Sequence, residues 1–263
     1  MANPLELLDR ARILAALPKE TRQRLIHIEI HSVLDSTNSY ALQYKGAMPY
    51  ACLAEYQTAG HGRHGRQWIS PIGSGLCLSL KQRIQNKPLS GLNIALAVTV
   101  VRVLHLLGAT DVGIKWPNDI LWQGRKLAGL LLESGKNSEI VFGIGINVKM
   151  VECNSKAINQ PYVDLYSILG QTSPSRNILA AKIIEHCLQT LTNYPQLGLN
   201  AFQQDWHRFD LSYGQLVTLE TPQSENKTYS TGIACGIDEE GALLLQIGNQ
   251  KQRYVDGEVS LRL

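Results

Sequence analysis

The segment at residues 58–71 most constrains the fold, because its glycines are not followed by a helix. Three glycines stand in the spacing G-x-G-x-x-G: Gly60, Gly62 and Gly65. In a dinucleotide-binding fold this spacing opens a helix directly, whereas Pro71 and Gly73 follow here. A P-loop is excluded as well, because Arg66 stands where that motif needs lysine. The sequence therefore predicts a glycine-rich ligand-binding loop that belongs neither to a dinucleotide-binding fold nor to a P-loop.

The side chains of this loop suit a nucleotide phosphate. Glycine backbone can close around an anion, and the guanidinium groups of Arg63 and Arg66 offer planar sets of donors to it. The indole of Trp68 offers a flat face for a base. A solvated basic turn is the structural alternative, and a second basic motif downstream weighs against it.

Length and composition indicate one large domain, or a medium domain with a small one. Of the 263 residues, 44% are hydrophobic, which is enough for a core. Only 18% are charged, which is low for a disordered chain. The net charge of +3 gives no global field that would attract DNA or membranes. Five scattered cysteines without a C-x-x-C pair fit a reducing compartment. We therefore expect a soluble, cytoplasmic protein with no membrane span.

Hydrophobic periodicity predicts an α+β domain at residues 1–212 and a small all-β unit at residues 213–263. In the first domain, helices are predicted at residues 5–17, 35–44, 88–107, 176–191 and 199–209, and strands begin near residues 26, 51, 76, 111, 120, 126 and 140. After residue 213 the chain changes to short strands separated by glycines, at residues 216–220, 229–237, 242–246 and 252–255. About 50 residues is close to the lower limit for an independent core.

A second basic motif begins at the end of an apolar strand with Lys115. An ammonium group there needs a partner or a ligand, while Asn118 offers an amide and Asp119 can hold a cation or orient a lysine. The turn at Gln123 and Gly124 predicts a hairpin that returns Lys126 alongside Lys115. A capped strand end is an equally good explanation of the motif taken alone.

Residues 35–38 are Asp-Ser-Thr-Asn, which most often serve only as a helix cap. A helix N-terminus with free hydroxyls can also bind a carboxylate or a ureido group. The histidines have no metal-binding spacing, and no Ser or Cys motif indicates a covalent nucleophile.

Several motifs together resemble the biotin protein ligases in order and spacing. The matching segments are residues 36–38, 55–71, 115–119, 125–129, 143–147 and 257–262. The resemblance covers the chain from about Leu5 to its end. It implies the two-layer mixed-sheet catalytic domain of the biotin/lipoate ligase type, followed by a small SH3-like barrel.

The resemblance also implies a two-step reaction. Biotin and Mg·ATP give biotinyl-5′-AMP and pyrophosphate, and the biotin is then transferred to a lysine of the biotin carboxyl carrier protein of acetyl-CoA carboxylase. Lys126, Arg63 and Lys115 are the implied catalytic residues. The implied biotin site comprises Ser36, Thr37, Asn38, Gln57, His61, Gly62, Arg63, Lys126 and Gly129. The implied nucleotide site comprises Arg63, Arg66, Trp68, Lys115, Asn118, Asp119, Asn147 and Arg262, with Asp119 also a candidate Mg²⁺ ligand.

One departure from the family pattern concerns His61, which stands where the first arginine of Gly-Arg-Gly-Arg is usual. Only about 25 residues precede the first strand, too few for a winged helix-turn-helix, so we expect no binding of nucleic acid. A homodimer is left open. The alternatives are a lipoate–protein ligase-like transferase, a biotin-responsive regulator without ligase activity and an inactive binding module.

Overall fold

The fold is built around a seven-stranded mixed sheet. The computed structural model describes residues 6–25, 27–84, 89–150, 158, 160–223, 226–255 and 260–262. The strands are β1 (His27–Leu34), β2 (Tyr50–Gln57), β3 (Gly75–Arg83), β4 (Val112–Lys115), β5 (Asp119–Trp122), β6 (Arg125–Ser134) and β7 (Glu139–Asn147). Their order is β1-β2-β3-β7-β6-β5-β4, with β1 and β2 parallel and the other neighbours antiparallel.

Helices cover both faces of this sheet. They are α1 (Arg10–Ala16), α2 (Lys19–Arg24), α3 (Thr37–Gln43), α4 (Leu92–Leu106), α5 (Leu165–Leu169), α6 (Arg176–Leu197) and α7 (Gln203–Phe209). On β2, Ala51 and Leu53 belong to the large core that includes α4 and α6. The alternate residues Tyr50 and Cys52 pack instead with Ala41 of α3. Because strand side chains alternate between faces, α3 lies on the opposite face from α4 and α6.

The C-terminal unit is a second, antiparallel sheet. Its strands are β8 (Leu216–Gln223), β9 (Asn226–Ile237), β10 (Leu243–Ile247), β11 (Gln250–Tyr254) and β12 (Ser260–Arg262), in the order β11-β10-β9-β8-β12. The buried indole Nε1 of Trp116 donates a hydrogen bond of 3.0 Å to the carbonyl of Gly241. Leu243 and Leu245 also belong to the large core. The small unit therefore rests on the first domain, while the predicted boundary at residue 212 stays a prediction.

The predicted element types are confirmed, but some of their bounds differ and several short elements were not predicted. The first helix begins at Arg10, because Asp9 caps it by accepting a hydrogen bond of 2.8 Å from the backbone of Arg12. Pro18 ends that helix and directly precedes α2, which the sequence pattern did not predict. The short elements α5 and β12 were also missed, because three to five residues carry too little periodicity. Among the described residues, no helix is both long enough and apolar enough to cross a membrane.

Candidate active site

The glycine-arginine loop folds back on itself between β2 and β3. His61 and Gln67 form an isolated antiparallel bridge, and the backbone N–H of Gly62 donates to the carbonyl of Arg66 at 2.7 Å. His64 has a φ of 55°, which lets the chain reverse at the tip of the loop. Both arginines line a cleft above the sheet. The loop contains one 3₁₀ turn at Arg63–Gly65, and strand β3, rather than an α-helix, follows it.

The cleft of this protein is defined by residues of the loop, of α3 and of strands β4 to β7. Its lining comprises Ser36, Thr37, Asn38, Gln57, His61, Gly62, Arg63, His64, Arg66, Gln67, Trp68, Cys77, Lys115, Trp116, Pro117, Asn118, Asp119, Lys126, Gly129, Leu130, Leu131, Gly143, Ile144, Gly145 and Gln160. A side depression adjoins it and is lined by Arg66, Gln67, Trp68, Ile69, Lys126, Asn147, Ile158, Gln160 and Tyr162.

Two lysines and one carboxylate form the charged centre of the cleft. Lys126 Nζ lies 2.7 Å from Asp119 Oδ1, and Lys115 Nζ lies 4.0 Å from Asp119 Oδ2. All three side chains are less than a quarter exposed. Gln123 and Gly124 both have positive φ, as a tight hairpin turn between β5 and β6 requires. The predicted return of Lys126 towards Lys115 is therefore confirmed.

The N-terminus of α3 forms a polar network at the other end of the cleft. Gln57 Oε1 accepts hydrogen bonds from the backbone N–H of Thr37 at 2.7 Å and from its hydroxyl at 3.1 Å. The hydroxyl of Ser79 lies 2.8 Å from Thr37 Oγ1 and 2.5 Å from Asn38 Oδ1. Asn38 Nδ2 in turn donates to Glu133 Oε2 at 2.7 Å. These contacts hold the helix N-terminus in one orientation.

Two glycines of β7 form the floor of the cleft. A Cβ at Gly143 would overlap the amide of Asn38, and a Cβ at Gly145 would overlap the indole of Trp68. Because they are two residues apart on a strand, both glycines open onto the same face. Trp68 thus lies against the sheet, and its ring centroid is 5.8 Å from Lys126 Nζ.

Two observations concern the cysteine and the possible metal ligands of the cleft. Burial raises the pKa of the Cys77 thiol to about 11, so this side chain stays protonated at neutral pH. In the part of the chain that the structure describes, no three His, Cys, Asp or Glu side chains are grouped as metal ligands. The site is suited to neutralising anions rather than to forming a covalent protein intermediate.

Comparisons with known proteins agree with this geometry. Residues 30–150 match the model of the biotin/lipoate A/B protein ligase family, and residues 213–262 match the biotin protein ligase C-terminal domain. The chain is 37% identical over 270 residues to the bifunctional ligase/repressor BirA of Salmonella typhimurium, covering all of this chain and 81% of that protein. It belongs to the biotin protein ligases.

Two further relatives support this assignment. A biotin–[acetyl-CoA-carboxylase] ligase of Mycobacterium tuberculosis is 32% identical over 219 residues, which is 79% of this chain and 77% of the relative. Among solved structures, the biotin protein ligase of Aquifex aeolicus in complex with biotin and ATP has a TM-score of 0.78 at 28% identity, covering 90% of this chain and 99% of that one. The predicted fold class is thereby confirmed for this biotin protein ligase.

The cleft of this ligase brings together nearly all the residues expected at the site. Asn147 is the first exception, because its side chain lines only the side depression. Arg262 is the second: its backbone lies on β12, and its side chain is outside the described residues. Two further polar residues of the network, Ser79 and Glu133, were not predicted from the sequence. Ser79 alternates with Leu78 and Leu80 on β3, and a polar residue within that apolar run is the signal that could have found it.

Proposed function

We propose that this protein activates biotin with ATP to biotinyl-5′-AMP and transfers biotin to a lysine of the biotin carboxyl carrier protein of acetyl-CoA carboxylase. In the first step a biotin carboxylate oxygen attacks the α-phosphorus of ATP, and pyrophosphate leaves. In the second step the neutral ε-amine of the acceptor lysine attacks the carbonyl of the mixed anhydride. An amide forms, AMP leaves, and the attacking nitrogen loses a proton to solvent.

The cationic side of the cleft carries the first step. Lys126 is placed to neutralise the biotin carboxylate and the attacked phosphate, and Arg63 to bridge the carboxylate and the α-phosphate. Lys115 and Arg66 supply further positive charge for the phosphates. Two anions must approach each other, and fixed cations lower the energy of the charge that develops between them.

The polar network at α3 is the proposed biotin end. Ser36, Thr37 and Gln57 would exchange hydrogen bonds with the ureido head, and Asn38 with Gly129 would border the ring system. His61 and Gly62, on the glycine-arginine loop, also line the cleft, and His61 Nε2 lies 4.0 Å from Glu133 Oε2 of the network. The network already fixes the direction of the Thr37 and Gln57 side chains, so little ordering is needed on binding.

The nucleotide end is assigned to Trp68, Asn118, Asn147 and Arg262. The ring of Trp68 would stack on adenine. Asn118 Nδ2 donates to the carbonyl of Leu130 at 2.6 Å, which leaves its amide oxygen for the nucleotide.

Mg²⁺ enters as part of the substrate, bound to ATP. Asp119 was a candidate ligand for this ion, but its carboxylate lies between the ammonium groups of Lys126 and Lys115. That arrangement fits the alternative role of orienting the lysines, because two cations occupy the directions that a metal would use. The oxygens of ATP and water are the ligands that Mg²⁺ prefers.

The observation that carries the proposal is the Lys126–Asp119–Lys115 group beside the α3 network, within one cleft. The test is pyrophosphate release from ATP by the purified protein with biotin, with lipoate or with no acid. Release that depends on biotin supports the proposal. Release that depends only on lipoate would instead make the chain a lipoate–protein ligase-like transferase.

Further proposals concern the location of the protein, its assembly and its binding of nucleic acid. The cytoplasm is the expected location, and a homodimer is left open. Repressor activity is named for some relatives, whereas the net charge of +3 supplies no general attraction to DNA. We expect no specific binding of nucleic acid by this chain.

A further inference from the structure

We propose that Asn147 is a positioning residue, whose side-chain amide holds the backbone of Lys126 in place. This inference rests on the proposed function, because it assigns Lys126 the role described above. Asn147 ends β7, the strand next to β6, which carries Lys126. Asn147 is 4% exposed, so its polar atoms need protein partners.

The amide of Asn147 joins two separate segments of the chain. Its Nδ2 donates to the carbonyl of Lys126 at 3.2 Å and to the carbonyl of Val163 at 3.0 Å. A primary amide has two N–H donors, so one side chain can satisfy both carbonyls. Asn147 thereby fixes the spacing between β6 and the segment at residues 161–163.

The segment at residues 161–163 also forms hydrogen bonds with the backbone of Lys126. The backbone N–H of Lys126 donates to the carbonyl of Pro161 at 2.9 Å, and the backbone N–H of Val163 donates to the carbonyl of Lys126 at 3.0 Å. Lys126 and Tyr162 form an isolated parallel bridge. With Asn147 included, three hydrogen bonds hold the peptide groups of this one lysine.

The regular ladder around Lys126 is interrupted on both edges of β6. Between β5 and β6 the register shifts: Leu121 pairs with Lys126, and Ile120 pairs with Ala128. Leu127 is therefore an extra residue, and such a bulge re-aims the neighbouring side chains. On the other edge of β6 the ladder with β7 begins only at Ala128, which pairs with Ile146, so the contacts from Asn147 and residues 161–163 take the place of a neighbouring strand beside Lys126. They direct Lys126 Nζ towards Asp119.

The test compares Asn147→Ala with Asn177→Ala in the full chain. Asn177 is a matched control, since it is 1% exposed and its Nδ2 also joins two acceptors, Glu6 Oε1 at 2.9 Å and the carbonyl of Leu7 at 3.1 Å. It lies on α6, outside the cleft. Both variants should lose similar thermal stability, so a difference in catalysis is not a result of weaker folding.

We expect Asn147→Ala to lower kcat for biotin-dependent pyrophosphate release about 10- to 100-fold, as small displacements of a reacting group do. The KM for biotin should stay close to that of wild type, while the KM for ATP should rise as well, because Asn147 is also assigned to the nucleotide end. In a Lys126→Ala background, Asn147→Ala should cause little further loss, because it acts through that lysine. If Asn147→Ala does not fold, Asn147→Ser keeps one donor and should show a smaller fall in kcat.

Three results would overturn the inference. A raised KM for ATP at unchanged kcat would mean that Asn147 acts on the nucleotide alone and not through Lys126. Kinetics equal to those of Asn177→Ala, or a full additional loss in the Lys126→Ala background, would remove the link to Lys126. Failure of the proposed function would look different, because wild type and Asn177→Ala would then both release no pyrophosphate with biotin.

Discussion

Lys126 Nζ and Asp119 Oδ1 lie 2.7 Å apart on adjacent strands of the central sheet, and each side chain is less than a fifth exposed. Lys115 approaches the same carboxylate to 4.0 Å from the end of β4. One acid thus holds two ammonium groups at the centre of the cleft. Ligand anions would displace this pairing, so Asp119 keeps the lysines in place until substrate arrives.

Replacing Lys126 by alanine should slow adenylation strongly while the fold is kept. Loss of one positioned cation from a developing anion costs about 3 kcal/mol or more, which is a fall of about two orders of magnitude in rate. Single-turnover formation of biotinyl-AMP measures this step. Lys182→Ala, on the outer surface of α6, is the control and should keep full activity. Normal adenylate formation by Lys126→Ala would refute the role.

Asp119→Asn should weaken the arrangement less than loss of a lysine. The amide keeps the shape of the side chain but removes the charge that orients Lys126 and Lys115. We expect a fall in kcat of about tenfold, with the same Mg²⁺ dependence as wild type. A variant that recovers its rate at high Mg²⁺ would show instead that Asp119 is a metal ligand.

The two floor glycines give separable effects. Gly143→Ala should raise the KM for biotin, because the new methyl group overlaps Asn38 in the α3 network. Gly145→Ala should raise the KM for ATP, because its methyl group overlaps Trp68. Each overlap costs about 1–3 kcal/mol of packing energy, which sets roughly 150-fold as the upper limit of the rise in KM. Steady-state kinetics with each substrate varied in turn would test this, and equal effects of both variants on both substrates would contradict it.

Asp210 should make the fold less stable at neutral pH than at acid pH. Burial raises the pKa of this carboxyl, although hydrogen bonds from Ser212 oppose the change. A raised folded-state pKa gives stability that is present below the unfolded value, near 3.8, and is lost as the pH rises through the folded value. Asp210→Asn should remove this loss. Urea unfolding of wild type and of Asp210→Asn at pH 4.5 and 7.5 would measure this difference in the free energy of unfolding. A substitution that lowers the free energy of unfolding equally at both pH values would contradict the prediction.

Short-range patterns predicted much of the fold and the site. The turn at Gln123 and Gly124 sufficed to place Lys126 near Lys115, because a tight hairpin leaves one register. The helix cap at Ser36 was equally local, since its side chain accepts from Ser39. These features depend on residues only a few positions apart.

Long-range contacts could not be predicted in this way. The hydrogen bonds of Asn147 reach 16 and 21 residues along the chain, and those of Asn38 reach Glu133, 95 residues away. No periodicity specifies which strands become neighbours, so the partners of a buried amide remain open until the sheet order is known. The bulge at Leu127 depends on that order too.

The hydrogen bond from Trp116 to Gly241 makes the small sheet part of the catalytic architecture. Trp116 is fully buried and stands between Lys115 and Pro117, while Gly241 also packs against Gly91 at the start of α4. A shortened chain ending near residue 212 would leave this indole and the apolar surface around it in water. A smaller biotinylating enzyme therefore cannot be obtained by deleting the C-terminal strands. A shorter variant has to lose residues from other parts of the chain.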